Sequence, residues 1–203
     1  MAGLIKKELG ALATELRAAT KAVGFSFGVL WLIQTINWIG GHWLNVYGVI
    51  PRTTVGLWGL LTMPFLHDGW GHLLANTIAG VPLAFMAMER RRRDFFIVAG
   101  VSALTGGLMA WLLGGTGTVH VGASGVVFGL MGFLLARGFV ERRAGPIIMS
   151  VLVAFFYGGS MFSMLPFLYP GISWQGHLGG FLGGLLVAKL LGGKGPAKPK
   201  AKD

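Results

Sequence analysis

Two polar residues stand in apolar surroundings and are flanked by glycines. Ser124 lies in Gly122-Ala123-Ser124-Gly125 at the head of an apolar run. His177 opens the last apolar run and is followed by Gly180 and Gly184. A serine hydroxyl is a weak nucleophile until a neighbouring base takes its proton, and a neutral histidine is suited to that task. Gly122 and Gly125 permit a tight entry into a helix. They expose the hydroxyl beside unsatisfied N–H groups at a helix N-terminus, where an oxyanion would be stabilised. His72 and Asn76 are four residues apart, hence on one helix face, with His67 five residues before. His72 and Asn76 are candidates for further hydrogen-bond donors. No carboxylate is placed to complete a triad, because Asp68 sits beside His67 at the surface, so the expected unit is a Ser-His dyad.

The elements that must position these residues are membrane spans. The chain has 203 residues, of which 54% are hydrophobic and only 12% charged. A soluble domain has about 25% charged residues. Cysteine is absent, which excludes disulfides and thiolate metal sites. No short signal peptide with a small-residue cleavage site is evident. Six apolar segments, 22–44, 69–88, 95–113, 122–140, 146–163 and 174–191, approach the ~20 residues needed to cross a bilayer as helices. The expected fold class is all-α, a polytopic membrane protein with a six-transmembrane-helix bundle. The 35 glycines suit close helix packing in lipid. Gly180 and Gly184 on span six, facing Gly125, Gly129 and Gly132 on span four, would bring His177 to Ser124.

The net charge of +10 is explained by topology and not by nucleic acid. Lys and Arg gather before span one, after span two (Arg90 to Arg93), after span four (Arg137, Arg142, Arg143) and after span six. Of 17 basic residues, only Arg52 falls in an outer loop. An even number of spans puts both termini in the cytoplasm. Residues 1–21 are expected as a polar or amphipathic cytoplasmic helix, 22–191 as the helical domain, and 192–203 as a basic disordered tail. The long outer loop 45–68 is half apolar and is expected to lie in the interface or pack on the bundle. Span two runs inward from about residue 69, so Asn76 lies about two turns deep. Ser124 and His177 lie near the outer ends of spans four and six, so one water-accessible depth can hold them all.

These segments resemble the rhomboid intramembrane serine proteases. Gly122-Ala-Ser-Gly is similar to that family's Gly-x-Ser-Gly nucleophile helix. His67, His72 and Asn76 match its His-x-x-x-x-His-x-x-x-Asn segment, and His177-x-x-Gly180-x-x-x-Gly184 matches its histidine helix. The resemblance covers about residues 25–191. It implies Ser124 as nucleophile and His177 as general base. It implies His72, Asn76 and the Ser124 amide as the oxyanion hole, with His67 supporting the first loop. Phe128 stands where the family often has a tyrosine stacked on the catalytic histidine. A Trp-Arg pair found in the first loop of some members is missing; Arg52 follows Pro51 instead. The loop from Met164 to Ser173 would cap the site. The implied partners are transmembrane protein substrates and the lipid bilayer, in a bacterial plasma membrane, with neither cofactor nor nucleic acid. Oligomeric state stays open.

Three other readings compete. A catalytically inactive relative would bind client transmembrane helices, but such relatives generally lose the serine or the histidine. A metalloenzyme could draw on His42, His67, His72, His120 and His177, yet there is no His-Glu-x-x-His and no carboxylate at depth. A transporter would show internal repeats or a buried charge to couple to an ion, and neither is evident.

Overall fold

The computed structural model describes residues 1–192. Its seven helices are α1 (Ala2–Ile39), the single turn α2 (Gly59–Thr62), α3 (Trp70–Met88), α4 (Arg92–Leu113), α5 (Ser124–Glu141), α6 (Ala144–Tyr157) and α7 (Trp174–Leu191). A 3₁₀ stretch, Gly158–Met164, extends α6. The described residues contain no strand, only an isolated antiparallel bridge between Val49 and His120.

Among the described residues, five helical stretches are long and apolar enough to cross a membrane: Ile5–Ile39, Trp70–Met88, Arg92–Leu113, Ser124–Glu141 and Ala144–Met164. The sixth expected span, α7, falls outside this set. Its 18 residues include Gln175, His177, Lys189 and the glycines 176, 179, 180, 183 and 184, which dilute its apolar character. It packs instead between α4 and α5, where protein takes the place of lipid. The expected polar N-terminal helix and the first span are one continuous helix of 38 residues, because nothing between Ala2 and Ile39 breaks the backbone pattern. The span ends at Ile39, before the expected residue 44. Of the expected tail, residues 193–203 lie outside the described residues.

The core surrounds α5. Leu130, Met131, Phe133 and Leu134 are almost fully buried and pack with Leu83 and Ala84 of α3, Val98 of α4, Val153 of α6 and Val187 of α7. Glycines set the closest approach. A Cβ on Gly180 would strike the Gly125 carbonyl oxygen, and one on Gly184 would strike that of Gly129. On its other side, α7 meets α4 through Gly179 and Gly183, whose added Cβ atoms would clash with Thr105 and Ser102. The expected α5–α7 contact is thus formed, and a second glycine face holds α4.

Charged side chains close the basic end of the bundle. Arg137 pairs with Glu141 at 2.7 Å and with Glu89 at 3.3 Å, and Arg90 pairs with Asp94 at 2.8 Å. Arg90 also donates to the Leu191 carbonyl at the end of α7. At the opposite end, Arg52 reaches the C-terminus of α4. It donates to the carbonyls of Leu112 (3.2 Å) and Gly114 (2.7 Å) and to the Thr116 hydroxyl. A cation at the negative end of a helix is favourable. That gives Arg52 a structural role at this end of the bundle.

Candidate active site

The expected residues converge on one cavity of about 830 Å³, whose wall includes Asp68, His72, Asn76, Ser124, Phe128 and His177. Two helices and one turn aim them. α3 contributes His72 and Asn76 from its first two turns, α7 contributes His177, and the turn entering α5 contributes Ser124.

The turn depends on Gly122. Its φ of +123° is a conformation that L side chains rarely adopt. A Cβ there would also lie 2.6 Å from His72 Nε2 and 3.7 Å from Asn76 Nδ2. Glycine therefore lets the backbone ahead of Ser124 rest against both candidate donors. The Gly122 N–H donates to the Met63 carbonyl at 2.9 Å, and the Ala123 N–H donates to His67 Nε2 at 3.4 Å. His67 is fully buried, and its own carbonyl receives Asn45 of the first loop at 3.4 Å. It thus joins that loop to the serine turn. Burial, with His72 adding to it, pushes the His67 pKa down to about 4 against a weaker opposing pull from the Phe65 backbone. The neutral ring is what the Ala123 N–H requires as an acceptor.

Ser124 is the first residue of α5, so its own N–H has no partner inside the helix. The side-chain amide nitrogen of Asn76 is buried and has no acceptor among the described residues. Two donors thus stand in the wall beside the serine.

The ring of Phe128, one turn beyond Ser124, stacks on the His177 ring with centroids 4.2 Å apart and planes 14° from parallel. His177 Nδ1 lies 2.9 Å from the Ser163 hydroxyl. That hydroxyl is also 2.7 Å from the Ser160 carbonyl. A carbonyl can only accept, so the Ser163 proton goes to Ser160, and Ser163 Oγ must receive the Nδ1–H of a neutral His177. Nε2 is left bare. The ring is thus held by a stacked face and one hydrogen bond, in the tautomer a base needs. The Ser124 and His177 side chains share the cavity without a hydrogen bond between them; such contacts often tighten only when substrate is bound.

Ser163 was not among the residues expected from sequence. It comes from the 3₁₀ stretch after α6, and nothing in the local pattern marks it. A Trp-Arg pair has no counterpart in the first loop here. Instead Trp111 of α4 donates to the Thr53 carbonyl at 2.9 Å, next to Arg52.

The Rhomboid domain model matches residues 54–194. The chain belongs to the rhomboid family. An uncharacterized protein of Mycobacterium tuberculosis is 39% identical over 170 residues, covering 80% of this chain and 71% of that one. The Bacillus subtilis protein YdcA is 31% identical over 139 residues, 66% of each chain. Rhomboid-like protease 5 of Toxoplasma gondii is 33% identical over 150 residues, covering 69% of this chain and 16% of the much longer parasite protein. With its apolar helices, this rhomboid is an integral membrane protein.

Proposed function

We propose that this rhomboid is an active intramembrane serine endopeptidase that cleaves transmembrane segments through an acyl-enzyme. The observation that carries the reading is the unpartnered amide donor of Asn76, 5% exposed, in the same cavity wall as Ser124 and His177. A buried donor without an acceptor is destabilising by roughly 1–3 kcal/mol unless something else uses it. A developing oxyanion would.

In this mechanism His177 Nε2 takes the Ser124 proton as Oγ attacks the scissile carbonyl. The oxyanion receives hydrogen bonds from the Ser124 N–H, Asn76 Nδ2 and His72. His177 then returns the proton to the leaving amine, and the acyl group stays on Ser124. Water attacks the acyl carbonyl with His177 again as base, releasing the carboxylate and restoring the serine. Ser163 holds Nδ1 and Phe128 the ring face throughout, so the base does not rotate between steps. Low-dielectric surroundings strengthen each of these interactions.

The distribution of Lys and Arg supports an orientation with both termini in the cytoplasm and the cavity opening to the outer face. Residues 1–21 would then lie on the cytoplasmic side, with 22–191 as the protease domain.

The test is cleavage of a model transmembrane substrate by purified protein in proteoliposomes, with fluorophosphonate labelling alongside. Ser124→Ala and His177→Ala should each abolish cleavage while the melting profile persists. A wild-type protein that neither cleaves nor is labelled would instead be an inactive, client-binding member of the family.

A further inference from the structure

Outside the groups assigned above, one further histidine lines the cavity with both ring nitrogens engaged. His120 Nε2 lies 3.0 Å from the Thr118 hydroxyl, and His120 Nδ1 lies 2.7 Å from that of Ser173. The proton positions follow from the outer partners. Thr118 Oγ1 is 2.7 Å from the Gly115 carbonyl and must donate there, so Nε2–H of neutral His120 donates to Thr118. Nδ1 is then an acceptor and takes the Ser173 proton. Ser173 Oγ in turn receives the Gly176 N–H at 3.3 Å, as the N-cap of α7.

The placement in the chain gives this network its meaning. His120 is four residues before Ser124, and Ser173 is four residues before His177. The His177 N–H donates to the Ser173 carbonyl at 3.1 Å, so the cap and the histidine belong to one helical turn. His120 is itself fixed, because its N–H and carbonyl both pair with Val49 at 2.8 and 2.9 Å. Gly114 leaves room for the ring; a Cβ there would lie 2.6 Å from His120 Nε2. Burial lowers the His120 pKa, in keeping with the neutral form the network requires.

We propose that His120 is a positioning residue. Its hydrogen bond to Ser173 clamps the entrance of α7 to the strand-like segment leading into α5, and so sets the separation of Ser124 and His177. Glycine contacts hold the two helices together deeper in the bundle. The clamp fixes their outer ends, where misplacement by about 1 Å can slow a reaction on the order of 100-fold. This inference rests on the serine protease reading.

Two isosteric variants test it. Asn at position 120 places an amide oxygen where Nδ1 stands and keeps the bond to Ser173. Gln reaches the Nε2 position and keeps only the bond to Thr118. The rate of fluorophosphonate labelling of Ser124 and the kcat for a transmembrane substrate are measured with the melting temperature. His120→Asn should stay within a few-fold of wild type, while His120→Gln should lose on the order of tenfold to 100-fold in both rates with KM unchanged. Ser173→Ala should resemble His120→Gln, and the double variant should be no slower than either single one. Equal rates for the Asn and Gln variants, or effects that multiply in the double variant, would overturn the clamp. Failure of the protease reading is distinguishable, since the wild-type protein itself would then neither cleave nor be labelled.

Discussion

Ser163 accepts the Nδ1–H of His177 at 2.9 Å while giving its own proton to the Ser160 carbonyl. The hydroxyl occupies the place that a carboxylate holds in a Ser-His-Asp triad, but it is neutral. It can fix the tautomer and the ring angle without strongly stabilising an imidazolium.

The first prediction tests that role. Ser163→Ala removes the acceptor and frees the ring to adopt the other tautomer. Turnover should fall on the order of tenfold to 100-fold with little change in KM, because in the proposed mechanism the loss concerns the base and not substrate binding. Ser163→Thr retains an acceptor hydroxyl and should recover most of the rate. Steady-state kinetics in micelles or proteoliposomes, with melting curves for both variants, distinguish an orienting role from a folding defect.

Asn76 gives a second prediction. Its amide nitrogen has no internal acceptor, so Asn76→Ala breaks no protein hydrogen bond at that atom. The melting temperature should hold or rise, since a buried donor without an acceptor is removed, while kcat falls on the order of 100-fold to 1,000-fold, as when one oxyanion donor is removed. Residual cleavage should exceed that of Ser124→Ala. A large drop in melting temperature with normal turnover in the surviving fraction would make Asn76 a packing residue.

The third prediction concerns the glycines between α5 and α7. The Cβ added by Gly180→Ala meets backbone, the Gly125 carbonyl, and that by Gly184→Ala meets the Gly129 carbonyl and the Phe133 N–H. Backbone cannot turn aside as a flexible side chain can, so the helices must separate. Each variant should lose about 1–3 kcal/mol of stability and much of its activity. Gly24→Ala, in α1 with nothing within 4 Å of the added carbon, should be neutral or slightly stabilising. Thermal melting of the three variants side by side checks the contrast.

Much of this arrangement is legible in the sequence. Long apolar runs give spans because lipid leaves the backbone no partner but itself, and the glycines at 125, 129, 180 and 184 announced a close crossing that α5 and α7 do make. The unbroken α1 was not legible, because a polar helix and an apolar one join without any local stop signal. Nor was the double role of α7. Its second glycine pair meets α4, and a pattern on one helix does not name the neighbour it faces. Ser163 and Ser173 were missed for a related reason. A serine in a loop is ordinary until the fold sets it against His177 or His120.

The last prediction is a pH dependence of stability. His67 is held neutral with a pKa of about 4, against 6.5 for a free histidine. Between these values the unfolded chain binds the proton and the folded one does not, so stability must fall as acid is added. The stabilisation is complete above about pH 6.5 and declines as the pH falls from there toward 4. Over the whole interval the decline amounts to about 3 kcal/mol, taking 1.36 kcal/mol per pH unit. The melting temperature at pH 5 should therefore lie below that at pH 7. His67→Gln keeps an acceptor able to reach the Ala123 N–H but does not titrate. It should be less stable than wild type at pH 7, with a smaller difference between the two pH values. An unchanged pH difference in His67→Gln would move the acid sensitivity to the other buried histidines and leave His67 with only its structural hydrogen bond.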